Sequence, residues 1–267
     1  MPEDPNQMKS TTNNSDVIMP PKEKWSETIY KVYQKVQSQG ESQPERRFQA
    51  LGLEFVIYKG VFAPDIFYNS IVFAEKAVEI VQSLQGGGMQ IQKFLEMGCG
   101  AGPTAVNIKN EFSFEVSAAD INPQAVANTK ENARLNKLEI ETYQSDCFDS
   151  IPLQSFDIMA WWIPYNPVDA PGTGVDSVLI KGGYDPQYKS LDKFLSQAGN
   201  YLSENGLILL GIGANVVNNT LIKQLATKNG WEILEEPLAE FEIPLEIGTT
   251  EPLINTQIIG LRRAVAS

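Results

Sequence analysis

Residues 94–106, FLEMGCGAGPTAV, hold the densest chemistry in the chain. An apolar run meets Gly98, Gly100 and Gly102 at G-x-G-x-G spacing, and a helical pattern opens at Pro103. Glycines so placed let the backbone turn tightly and approach a ligand closely. A dinucleotide-binding turn would want a glycine where Pro103 stands, and proline suits a first helical turn instead. Glu96, just ahead of the loop, would repel a pyrophosphate and accept a cation. Two more acidic residues close the next apolar runs. Asp120, in VSAADINPQAV with Ile121 after it, is placed to accept both hydroxyls of a ribose. Asp146, in SDCFD, can accept an adenine amino group while Cys147 flanks the ring. Asp120 also reads as a helix cap and Asp146 as a turn residue. In order, at three successive strand tips, they point to an adenosine that carries positive charge.

The elements that must position these residues alternate between periods of two and 3.6. Strands are expected at 94–97, 115–119, 139–143, 156–161 and 206–211, with helices at 71–85, 103–109, 124–135, 189–202 and 217–228. The end of the chain, 231–241 and 256–262, reads as an antiparallel pair. The expectation is an α/β fold: a Rossmann-like, doubly wound, mostly parallel seven-stranded sheet with an antiparallel C-terminal strand pair. Ahead of it, residues 1–22 are polar and expected to be disordered. Residues 23–60 form a helical extension or lid, with Trp25, Ile29, Val32, Tyr33 and Val36 at helical spacing and a short strand at 53–58. Residues 61–267 form the main domain.

Composition narrows the chemistry. The chain has 267 residues, a formal net charge of −12 and no histidine. The commonest general base and the commonest metal ligand are both absent, and no metal site is expected. Acidity disfavours a phosphate backbone as partner, so nucleic acid is an unlikely substrate by this criterion. The two cysteines, Cys99 and Cys147, have neither a disulfide framework nor metal-ligand spacing. With no apolar leader and no run of membrane-spanning length, a cytoplasmic protein without a membrane partner is expected.

The motifs together resemble those of the class I S-adenosylmethionine (SAM)-dependent methyltransferases, from about Tyr58 to the carboxyl terminus. EMGCGAG is similar to the first motif of that family, ADINPQAV to the second and SDCFD to the third. The C-terminal strand pair resembles the reversed hairpin that separates these enzymes from dinucleotide dehydrogenases. The resemblance implies SAM as cofactor and S-adenosylhomocysteine as product. It also implies a cofactor site of Glu96, Gly98, Gly100, Gly102, Asp120, Ile121, Asp146 and Cys147.

The stretch FDIMAWWIPYNP, 156–167, resembles FDxIxxNPPY of the amino-methylating branch, which modifies protein glutamine amides and nucleobase amines. GVFAPDIFYNS, 60–70, is similar to a GVFxP segment of the same branch. Aligned on Phe156 and Asp157, Trp162 takes the Asn position, Ile163 and Pro164 the prolines, and Tyr165 the tyrosine. Indole donates and does not accept hydrogen bonds, so amide recognition by that residue is lost. Trp162 and Tyr165 are therefore expected to act as the catalytic pair, holding a cationic or planar nitrogen by cation–π attraction. Phe62 and Asn166 complete the substrate side, and Asp65, Asp169 and Glu246 lie in segments bordering it. One of Trp161 and Trp162 should enter the core. Without a base or metal to activate oxygen, a nitrogen nucleophile is expected, and in-line alignment in a dry pocket supplies much of the acceleration. The reading is N-methylation of a small amine or guanidine metabolite. Its alternatives are a protein side-chain or RNA N-methyltransferase and a non-catalytic SAM-binding module.

Overall fold

The computed structural model describes residues 45–65, 68–167, 169, 182–244 and 253–264. The tail at 1–22, the helix at 25–36 and Glu246 lie outside them.

The site is positioned by a sheet of eight strands in the order β5-β4-β3-β6-β7-β10-β8, with β9 pairing β10. Its parallel part is β3 (Lys93–Met97), β4 (Glu115–Asp120), β5 (Glu141–Gln144), β6 (Phe156–Trp162) and β7 (Leu202–Gly213). β10 (Leu253–Arg263) runs antiparallel to β7 and to both β8 (Trp231–Ile233) and β9 (Ala239–Pro244). The single strand expected at 231–241 is thus two, which makes the sheet eight-stranded rather than seven. Between them stands Pro237, which cannot donate to a ladder.

Helices cover both faces. α1 (Asn69–Gly86) and α2 (Pro103–Glu111) pack Phe73, Ala77, Val81, Ala105 and Ile108 on one face, against Phe94, Ile158 and Leu209. α4 (Lys189–Ala198) and α5 (Asn219–Lys228) pack Leu191, Phe194, Leu195, Ile222 and Leu225 on the other. Two faces buried under helices explain why β3, β6 and β7 read as near-continuous apolar runs.

The described part of the expected helical extension is a β-hairpin, β1 (Arg46–Ala50) and β2 (Leu53–Ile57), stacked by Phe48 on Phe55 at 5.3 Å. β1 takes one edge of β2. The other edge is taken by a helix, α3 (Pro123–Leu135), and the residue that ends it. Asn128 accepts from the Tyr58 amide at 2.9 Å and donates to the Val56 carbonyl at 2.7 Å. Asn132 accepts from the Val56 amide at 2.8 Å. Asn136 accepts from the Glu54 amide at 3.0 Å and donates to the Glu54 carbonyl at 2.7 Å. Asn128 and Asn132 are fully buried, and these bonds satisfy a strand edge that would otherwise be costly to bury.

Candidate functional site

Register brings the predicted residues to one edge of the sheet. Met97 lies opposite Ala119 on one side and Trp161 on the other. The glycine loop therefore leaves β3 between the tips of β4 and β6, next to Asp120 and Trp162. In a doubly wound sheet this is where ligands bind.

A cavity of about 440 Å³ opens there. Among its lining are Glu96, Gly98, Gly100, Asp120, Ile121, Asp146, Cys147, Phe62, Trp162 and Tyr165, all named from the sequence. Two other expected site residues are elsewhere. Gly102, at φ +75°, starts α2, and a Cβ there would lie 2.6 Å from Thr129 Cγ2, so its task is close packing on α3. Asn166 is buried and donates from Nδ2 to the Gly183 carbonyl at 3.0 Å, while its own carbonyl accepts from the Asp185 amide. It clamps two chain segments together instead of lining the cavity. Asp65 is engaged with Arg46 through two bonds of 2.6 and 2.9 Å, and neither it nor Asp169 lines the cavity.

The loop is built for a guest. Gly100 has φ +56°, and a Cβ added there would meet nothing within 4 Å. Asp120 fixes this loop: Oδ2 accepts from the Gly100 amide at 2.9 Å and Oδ1 from the Asn122 amide at 2.8 Å. Glu96 is buried, and its Oε2 accepts from the Ala105 amide in the first turn of α2 at 2.8 Å. Burial pushes its carboxyl up to about 8, against the pull of the Ala105 and Thr104 amides, and the neighbouring Asp120 charge adds to the rise. Asp120 is also raised by burial, offset in part by the amides of Asn122 and Gly100. Two carboxyls held short of easy ionisation beside an open glycine loop suit a cationic ligand. The donor set fits the positively charged SAM better than an anionic dinucleotide.

The third strand tip is more occupied than the sequence suggests. Asp146 pairs with Lys193 at 2.7 Å. Cys147 is buried, and desolvation pushes its thiol up to about 12.

Both tryptophans line the cavity. Trp161 is the deeper of the two, and its Nε1 lies 2.7 Å from where a Gly98 Cβ would be. Trp162 is half-buried, edge-on to Phe73 with centroids 5.0 Å apart and tilted against Tyr165 at 6.0 Å. Gly211 of β7 makes room for that pair, since a Cβ there would sit 2.8 Å from each ring.

The sequence reading missed Asn69, Ser70, Tyr184, Asp185 and Lys189, which also line the cavity. Asp185 accepts from the Ser190 and Leu191 amides at the start of α4. Its signal was the Asp-Pro pair just before a helical pattern, a helix-start cue. Among the described residues no group of three or more His, Cys, Asp and Glu is placed to hold a metal ion. No described helix is long and apolar enough to cross a membrane.

Fold, loop and cavity define a class I SAM-dependent methyltransferase. The methyltransferase small domain family matches residues 69–231, and the chain belongs to that family. Over 160 residues it is 28% identical to a putative protein N5-glutamine methyltransferase of Methanocaldococcus jannaschii, covering 59% of this chain and 74% of that one. It is 34% identical to the release factor glutamine methyltransferase of Lactococcus lactis, over 45% of this chain and 47% of the relative. The chain thus matches about half the length of the latter. A 16S rRNA N2 methyltransferase of T. thermophilus, solved with AdoMet and guanosine, shares the fold at TM-score 0.53 and 16% identity, over 83% of this chain and 50% of that one.

These names overturn the expectation of a small cationic metabolite as partner and of nucleic acid as unlikely, because they are of enzymes that act on proteins and RNA. The error had a physical source. A net charge describes the whole surface and not the acceptor pocket. The Trp162 ring, read as free of ring neighbours, has Phe73 packed at right angles to it with centroids 5.0 Å apart.

Proposed function

We propose that the protein transfers the methyl group of SAM to a nitrogen of a protein side chain. The observation that carries this reading is the continuity of the cavity. One space runs from the glycine loop and its two carboxyls to a wall of Phe62, Phe73, Trp162, Pro164 and Tyr165. Such a wall suits an extended, planar nitrogen-bearing side chain. Lys189 is the only cation among the described lining residues, against Glu96, Asp120, Asp146 and Asp185. Protein glutamine is also what the named curated relatives act on.

In this reading residues 98–100 and Glu96 hold the methionine portion of the cofactor, and Asp120 holds the ribose. Asp146, Ile121 and Cys147 border the adenine, and Trp162 and Tyr165 confine the acceptor. Bound SAM supplies a methyl carbon on a positively charged sulfur. An acceptor nitrogen held in line would take that methyl carbon, the sulfur leaving with the bonding electrons as a neutral thioether. The nitrogen then sheds a proton to water or a cavity carboxylate. The aromatic wall excludes bulk water and aligns the nitrogen.

The test is tritiated SAM incubated separately with a protein extract, total RNA and a panel of small amines. Label should enter material that protease destroys and ribonuclease spares. Label confined to RNA would replace this reading with an RNA one.

A further inference from the structure

The motif position that recognises a planar amide in the resembling branch is filled here by Trp162, so the acceptor needs another polar partner. We infer that Asn69 is the residue that recognises the acceptor nitrogen group, a conclusion that rests on the protein side-chain reading above. Asn69 is the first residue of α1, and Phe73 follows it by four. Residues four apart lie on one helix face, one above the other. Phe73 stands edge-on against Trp162, and Gly211, opposite Trp162 in the strand register, leaves room for both rings. The ring pair therefore fixes the face of α1 that carries Asn69, and Asn69 and Trp162 line the same cavity.

The chemistry matches the loss. The Asn69 side chain offers an acceptor oxygen and two N–H donors. Its Oδ1 accepts from the Ser70 amide at 3.1 Å, a local bond that orients the carboxamide. A second oxygen lone pair and the amino group remain to pair with the N–H and C=O of an acceptor carboxamide. Around it the wall is aromatic: Phe62, Phe73 and Trp162. Asn69 itself is half-buried beside that wall, where a missing partner costs more than it would in open water. An aromatic at the motif position and an asparagine one turn before its ring partner make up one exchanged recognition set.

The experiment compares wild type, Asn69→Ala, Asn69→Asp and the double variant Asn69→Ala with Trp162→Asn. Protein methylation gives kcat/KM, and calorimetry with S-adenosylhomocysteine gives cofactor affinity. Asn69→Ala should lose about tenfold in kcat/KM, the scale of one lost hydrogen bond. Cofactor affinity should stay within about twofold, which also certifies the fold. Asn69→Asp, which cannot donate, should be as impaired as Asn69→Ala. The double variant should recover activity over Asn69→Ala alone, because asparagine returns to the motif position. Wild-type levels of protein methylation in Asn69→Ala overturn the inference, as does a tenfold loss of cofactor affinity. A wild-type enzyme that labels no protein sinks the underlying reading instead, a different result from either.

Discussion

The side-chain amide of Asn132 donates to the Ala101 carbonyl in the glycine loop at 2.8 Å. The same side chain holds the Val56 amide and carbonyl of β2 at 2.8 and 3.0 Å. One residue thus ties the N-terminal hairpin to the cofactor loop, helped by Thr129, whose hydroxyl donates to the Gly100 carbonyl at 3.1 Å.

Asn132→Ala should therefore cost about 1–3 kcal/mol, the penalty of leaving a buried backbone group unpaired. Urea unfolding measures it. Asn136→Ala, whose partners are only part-buried, should cost less. Equal losses in the two variants would deny Asn132 its central place.

Gly100→Ala tests the loop itself. The Cβ would meet no protein atom, yet the residue must hold φ +56°. A side chain there is strained and projects into open space. SAM affinity should fall at least tenfold (about 1.4 kcal/mol) by calorimetry, with the circular dichroism spectrum unchanged.

Glu96 makes the enzyme sensitive to alkaline pH. Its carboxyl rises from 4.5 to about 8 on folding, chiefly by burial. The folded state holds the proton that the unfolded state has released. The stability this group contributes is complete below pH 4.5 and is lost as pH rises through about 8. Glu96→Gln should flatten that decline in a pH series of thermal melts. A cation entering the cavity favours the charged form, so SAM binding should release a proton near pH 7, measurable by calorimetry in buffers of different ionisation enthalpy. Glu96→Gln should abolish that release.

Cys147 should resist alkylation. Its thiol is pushed up to about 12 by burial, with Asp146 adding to the rise, and only thiolate reacts. Iodoacetamide at pH 8 should label it far more slowly than in urea, and S-adenosylhomocysteine should slow it further because the residue lines the cavity.

The glycine loop and the acidic strand tips were legible because their signals are local. A turn needs glycine, and a strand tip can be found by counting along an apolar run. Features that depend on distant partners were not. Asn128 and Asn132 of α3, and Asn136 at its end, read as ordinary polar residues, since their partners lie 70 to 82 positions away. Asn166 reads as a free polar group until Gly183 is seen against it. Trp161 and Trp162 look alike in the sequence. Only pairing with β3 and β7 sends one beneath Gly98 and the other onto Phe73. The acceptor class was misjudged for the same reason, because a motif position was read without the ring that packs on it.

The asparagine ladder works as a vernier. Four residues of helix advance about 6.0 Å, whereas two residues of strand advance about 6.6 Å. Each rung away from Asn132 slips by about 0.6 Å, roughly the whole tolerance of a hydrogen bond. Three rungs close, centred on the middle one; a fourth would be out of reach. The graft of hairpin to helix is therefore self-limiting in length and intolerant of insertion. A single residue added within β2 would reverse, for the residues on one side of it, the edge their N–H and C=O groups face, so the rungs on that side could no longer close.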